Sequence, residues 1–187
     1  MSEQEQSRDK KKWWWARLPL FSASALKRLK RITGWKHAFA ALLACALLLS
    51  IPTDLASASL EAFLKSFLAS FAGLTALIFA AIAASRLAGS RETARGFFPA
   101  AAAATALSLF AVSLPAAVAG FVVFKRLLND ASAAALFFSL IPFYNFVFFG
   151  WACEELSGNT KWRGAVVGLV SASLMLAFYL GLSALTS

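Results

Sequence analysis

Two apolar runs separated by a short basic segment constrain this chain more than any other feature. Residues 66–85 and 96–114 are almost wholly apolar, and between them lies Arg86-Leu87-Ala88-Gly89-Ser90-Arg91-Glu92-Thr93-Ala94-Arg95. Each run is about twenty residues, which at roughly 1.5 Å per helical residue matches the roughly 30 Å hydrocarbon core of a bilayer. The pair reads as a helical membrane hairpin. Its loop carries three arginines against one glutamate, and short basic loops stay on the cytoplasmic side.

The rest of the chain extends the same pattern. With 60% hydrophobic and 14% charged residues, the chain is too apolar for a soluble domain, in which roughly a quarter of residues carry charge. The expected fold is all-α, a polytopic transmembrane bundle of five spans with a cytoplasmic amino terminus. Residues 1–34 form a cytoplasmic basic and aromatic tail, and residues 35–187 the membrane domain, with spans at about 35–52, 66–85, 96–114, 131–152 and 164–185. The net charge of +9 is concentrated before the first span, which favours a membrane surface over nucleic acid as the partner. Cys45 and Cys153 are the only cysteines, so neither a disulfide framework nor a metal site is expected.

In the tail, Lys10-Lys11-Lys12 runs into Trp13-Trp14-Trp15. Lysines are drawn to anionic lipid and indoles to the headgroup zone, so this segment should dock on the cytoplasmic leaflet. Stacking on single-stranded nucleic acid is the alternative, disfavoured by the neighbouring spans. Residues 22–32 suit a short amphipathic helix lying on the membrane, with Ala25, Leu29 and Ile32 apolar and Lys27, Arg28, Lys30 and Arg31 basic. Trp35 and His37 mark the entry to the first span, which should end at Pro52. Ala56-Ser57-Ala58 has the pattern of a signal-cleavage site, but ten lysines and arginines precede the apolar core, so an uncleaved span is expected.

Further along, residues 55–67 suggest a short interfacial helix before the second span, and Ala72, Ala76, Ala80 and Ala84 form either a smooth packing ridge or simple alanine richness. The run 97–124 is too long for one untilted span and too short for two. A break at Pro115 is therefore expected, with 116–124 in the outer interface. In the fourth span Pro142 predicts a kink, and Tyr144 and Asn145 place polar groups in mid-membrane. Gly164, Gly168 and Ala172 at four-residue spacing form the strongest close-packing signature. Splitting the long third run into two spans balances the charges equally well. Length favours five spans.

No Asp, Glu, Lys, Arg or His falls near the middle of a span, which argues against a proton-driven carrier or an intramembrane protease. Cys153, Glu154 and Glu155 form one polar cluster at a helix end, but no histidine or second cysteine accompanies them, so solvated carboxylates are the expected reading. Arg86, Arg91 and Arg95, beside Ser90 and Thr93, suit phosphate headgroups or serve only to set topology.

With five spans, a cytoplasmic amino-terminal region and a loop reading Arg86-Leu87-Ala88-Gly89-Ser90 up to Gly96-Phe97-Phe98-Pro99, the chain resembles the Yip family of small polytopic proteins that interact with Rab GTPases, including its bacterial branch. The chain departs from that family in having the single Gly89 where many relatives have a pair, and in lacking an Asp-Leu-Tyr-Gly-Pro segment. The small-residue ridges and the basic, tryptophan-rich cytoplasmic surface favour a non-enzymatic membrane scaffold or adaptor of this Yip-like type, without cofactor, that binds anionic lipid and a membrane partner or a second copy of itself. The alternative is a small transporter or permease subunit with a pathway past Pro142, Tyr144 and Asn145. Alanine richness and short loops suggest a bacterial inner membrane.

Overall fold

Ser22 precedes the first helix, α1 (Ala23–Ile32), whose last turn carries Lys30 and Arg31, favourably placed against the negative end of the helix dipole. Thr33 ends it, with both its backbone N–H and its hydroxyl bonded to the carbonyl of Leu29. The chain then turns by 113° into the next helix. His37 holds that corner: its Nδ1 accepts from the N–H of Gly34 at 3.2 Å, reaching back to the turn preceding the helix as in a capping box. In this computed structural model the described residues are 17–18, 21–57 and 59–186.

Five long helices follow: α2 (Trp35–Ser57), α3 (Leu60–Leu87), α4 (Ala94–Leu127), α5 (Ala131–Ser157) and α6 (Lys161–Thr186). All regular elements among the described residues are helical. Four helices are long and apolar enough to cross a membrane, or five if the bent pair α1 and α2 forms one span. Caps at their ends are local and explicable. Ser59 accepts from the N–H of Ala62, Asp130 from that of Ala133, and Gly158 closes α5 in the left-handed conformation at φ 62°. That conformation penalises any residue with a Cβ.

Three helices run further than their sequences suggest. α2 continues past Pro52 to Ser57. Residues 60–67 are the first turns of α3 rather than a separate interfacial helix, since no proline or glycine interrupts them before Gly73. α4 passes through Pro115 and continues to Leu127. A helical proline removes one hydrogen bond and crowds the carbonyl four residues earlier. Here a π-helical segment, Leu109–Ser113, precedes it and has already replaced the ordinary ladder with a wider turn: the N–H of Leu114 bonds to Leu109. α5 likewise continues across Pro142.

α2 packs on α3 and α4, α3 on α6, α6 on α5 and α5 on α4, so the five helices close a ring. Its interior is built from small residues and a few aromatics, including Cys45, Ala81, Ala101, Phe97, Phe148 and Phe149, whereas Leu43, Leu47, Leu68, Leu136 and Leu169 face outward. An exposed leucine belt around a small-residue interior is what a lipid solvent permits, because tight helix approach in lipid comes from small side chains. The alanines of α3 fit simple alanine richness better than a packed ridge, since Ala80 and Ala84 are only half-buried. Ala72 and Ala76 are exposed, and the buried face is Leu74, Leu77, Ile78 and Ala81, with Gly73 against the ring of Phe178.

Candidate functional site

A hydrogen-bonded polar cluster lies in the interior of the ring, and π-helical geometry assembles it. Ser108 and Ser113 are five residues apart, which on an ordinary helix separates their directions by about 140°. The segment Leu109–Ser113 closes i to i+5, so Ser113 returns above Ser108, its Oγ 3.3 Å from the Ser108 carbonyl oxygen. Both hydroxyls then converge on Oδ1 of Asn145, donating from 2.8 Å (Ser108) and 2.7 Å (Ser113). Asn145 in turn donates through Nδ2 to the phenolic oxygen of Tyr179 at 2.9 Å. The asparagine is 3% exposed, and its bonds tie α4, α5 and α6 together.

An almost wholly apolar cavity of about 380 Å³ opens beside this cluster, bordered by Ser113, Asn145 and Tyr179 and lined by Leu48, Ile51, Leu114, Ala117 and Pro142 among others. Tyr144, adjacent in sequence, points elsewhere. It lines a separate cavity of about 190 Å³ with Phe137 and Leu140, and its ring stacks on Phe148 and meets Phe21 edge-on. Of the three residues expected to share a pathway, Pro142 and Asn145 therefore border one space and Tyr144 another.

Phe21, in the left-handed region at φ 55°, inserts between Tyr144, Phe148 and Trp151 of α5 with ring centroids 6.2, 5.8 and 5.3 Å away. This anchors the segment before α1, and α1 itself buries Ala25, Leu26 and Leu29 against α4 and α5. Ile32, expected on the apolar face, is 55% exposed, and Leu26 takes its place in the contact. The amphipathic helix is therefore seated on the bundle as well as presenting its basic face outward.

At that same end, the two polar loops are laced together. Ser90 donates from its hydroxyl to the carbonyl of Ser157, and the same hydroxyl accepts from the N–H of Glu92. Asn159 donates to the carbonyl of Ser85 at 3.5 Å, and Lys30 of α1 pairs with Glu92 at 2.6 Å. Around this junction Lys27, Arg28, Arg31, Arg86, Arg91 and Arg95 are exposed. Lys10, Lys11, Lys12, Trp13, Trp14 and Trp15 lie outside the described residues.

Gly164, Gly168 and Ala172 line the face of α6 that meets α5. Gly168 and Ala172 lie against Gly150, and Gly164 and Gly168 against the side chain of Glu154. Cys153 is fully buried, and no three His, Cys, Asp or Glu residues among those described are grouped as a metal site would require. Sequence reasoning named Asn145 but not its partners. Ser108 and Ser113 fall on different faces of a regular helix, and Tyr179 lies in a run otherwise read for its glycines. A polar residue in each of three apolar runs was the available signal.

No family model, no curated protein and no solved structure matches this chain.

Proposed function

We propose that the chain is a five-span integral membrane scaffold with a cytoplasmic amino terminus, and that it gathers anionic lipid on the basic end face formed by α1 and the two loops. The observation that carries this reading is the docking of α1: Leu26 and Leu29 are buried, Lys30 is paired with Glu92, and the cations of the helix and of the 86–95 loop stand outward together. All of the 18 lysines and arginines except Lys65, Lys125 and Arg126 fall on the side assigned to the cytoplasm. A polybasic surface at an anionic leaflet gains about 1 kcal/mol per cation near the headgroups. The loop contacts Ser90 to Ser157 and Asn159 to Ser85 favour five spans over six, because an extra span between them would separate the loops by a bilayer. The Yip-like span pattern and loop motif support an adaptor role, and a bacterial inner membrane suits the short loops.

The test is lipid selectivity of the full chain in nanodiscs of mixed phosphatidylcholine and phosphatidylglycerol. Retention of phosphatidylglycerol by the wild type, lost when Lys27, Arg28, Arg31, Arg86, Arg91 and Arg95 are changed to Gln together, is the expected result. Equal retention by both proteins would sink the proposal.

A further inference from the structure

Where α3 ends and α6 begins, a pocket of about 280 Å³ opens whose wall is as polar as it is apolar. Leu87, Ala88 and Gly89 form one side of it, and Trp162, Arg163 and Val166 the other. Arg163 supplies the charge. Its guanidinium lies over Gly89: a Cβ added there would stand 2.9 Å from Nη1 and 3.9 Å from Cζ, so the bare loop leaves room for the arginine to lie across it. Arg163 forms no ion pair among the described residues, and no acidic side chain lines the pocket. Glu92, the acid of the 86–95 loop, is held by Lys30 at 2.6 Å. Arg86 and Lys161, next in sequence to lining residues, are exposed and add to the positive field.

The flanks of the pocket set its depth. Leu87 is 90% exposed and Trp162 79% exposed, each at the end of a helix apolar enough to cross a membrane. Indole rings concentrate where hydrocarbon meets headgroups, and a bare leucine at that level gains from contact with acyl chain. Val166, four residues beyond Trp162, carries the apolar wall one turn further toward the membrane interior. A fitting ligand therefore offers anionic oxygen to Arg163 and hydrocarbon to Leu87 and Val166. It carries no cation, since no side chain of the lining would receive one. A guanidinium matches a phosphate through two parallel N–H bonds, and basic pockets between spans on the cytoplasmic side take lipid headgroups. Zwitterionic phospholipids bring an ammonium group with their phosphate, which leaves the anionic ones. On the orientation and lipid affinity proposed above for the end face, we infer that this pocket seats one anionic glycerophospholipid, its phosphodiester on Arg163 and its first acyl carbons along Leu87 and Val166.

The experiment is photocrosslinking of the full chain in phosphatidylcholine nanodiscs doped with phosphatidylglycerol that carries a diazirine at the start of one acyl chain, the attachment sites being mapped by peptide mass spectrometry. Labelling concentrated on residues 87–89 and 162–166, saturating at one lipid per chain and about fivefold above a matched phosphatidylcholine probe, is expected. Arg163→Gln should cut that labelling about fivefold while leaving phosphatidylglycerol retention by the end face unchanged. Val166→Trp, which fills the pocket with every cation in place, should cut it as far. Labelling confined to α1 and residues 91–95, or unchanged in Arg163→Gln, would overturn the inference and leave the end-face reading standing. Absence of phosphatidylglycerol enrichment at every residue would overturn both. Equal labelling by the phosphatidylcholine probe would overturn the inference, and so would displacement by soluble glycerol 3-phosphate, which would reassign the pocket to a water-soluble phosphoester. Thermal melting of each variant verifies folding, and Arg163→Gln alone suffices if Val166→Trp fails to fold.

Discussion

Gly150 of α5 and Gly168 of α6 meet backbone to backbone: a Cβ added to Gly150 would stand 2.6 Å from the carbonyl oxygen of Gly168, and one added to Gly168 would stand 3.1 Å from that of Gly150. The obstacle in both cases is main chain, which cannot swing aside. Gly150→Ala should therefore destabilise the bundle by about 1–3 kcal/mol, the usual cost of forcing extra volume into a packed contact. Gly181→Ala is the control, since nothing lies within 4 Å of the added carbon. Thermal unfolding of the detergent-solubilised protein separates the two, and equal melting temperatures would refute the close crossing.

The Asn145 cluster should behave as a stability element in its own right. Interhelical hydrogen bonds in membranes average about 0.6 kcal/mol each, so Asn145→Ala, which removes three, should cost roughly 2 kcal/mol. Ser108→Ala and Ser113→Ala should each cost less than 1 kcal/mol, and their double mutant should depart from additivity because both hydroxyls serve one oxygen. Unfolding titrations in mixed detergent micelles measure all four. Additive serines would mean that the two bonds are independent.

Seating of α1 depends on its apolar contact more than on its ion pair. Lys30 and Glu92 are partly exposed, and pairs of that kind contribute about 0–1 kcal/mol. Leu26 is almost completely buried. Lys30→Glu should leave amide-exchange protection across residues 23–32 nearly unchanged, whereas Leu26→Asp should abolish it. The reverse ranking would make the salt bridge the latch.

Topology can be read with single cysteines at exposed positions. Arg91→Cys and Arg163→Cys should label with a membrane-impermeant maleimide from the same side, and Arg126→Cys from the opposite side. Native Cys45 and Cys153 are buried and should contribute little background. Labelling of residues 91 and 163 from opposite sides would require six spans.

The helical character of the chain, the positions of its apolar runs and the polar loop at 86–95 were legible from local sequence, because run length and composition respond directly to the lipid solvent. So was the entry to the first long helix at Trp35. The length of α4 was misread. Pro115 looked like a terminator, and only the preceding π segment shows why a proline is accommodated there. The choice between a packing ridge and simple alanine richness on α3 was not legible either, since four-residue spacing says that alanines share a face without saying which neighbour that face meets.

What the sequence determined by itself is therefore one-dimensional: which segments are apolar, helical and long enough to cross a membrane, and where the cations accumulate. What only the tertiary structure decided is which faces meet. It brings Ser108 and Ser113 onto one asparagine oxygen through a change of helical pitch, aligns Gly150 with Gly168 across two helices, and buries Leu26 while leaving Ile32 outside. The physical reason is that lipid is as apolar as leucine, so hydrophobicity drives segments into the membrane but gives no preference among their faces. Partner choice then rests on close backbone approach and on a few buried hydrogen bonds. Both are properties of residue pairs distant in the chain.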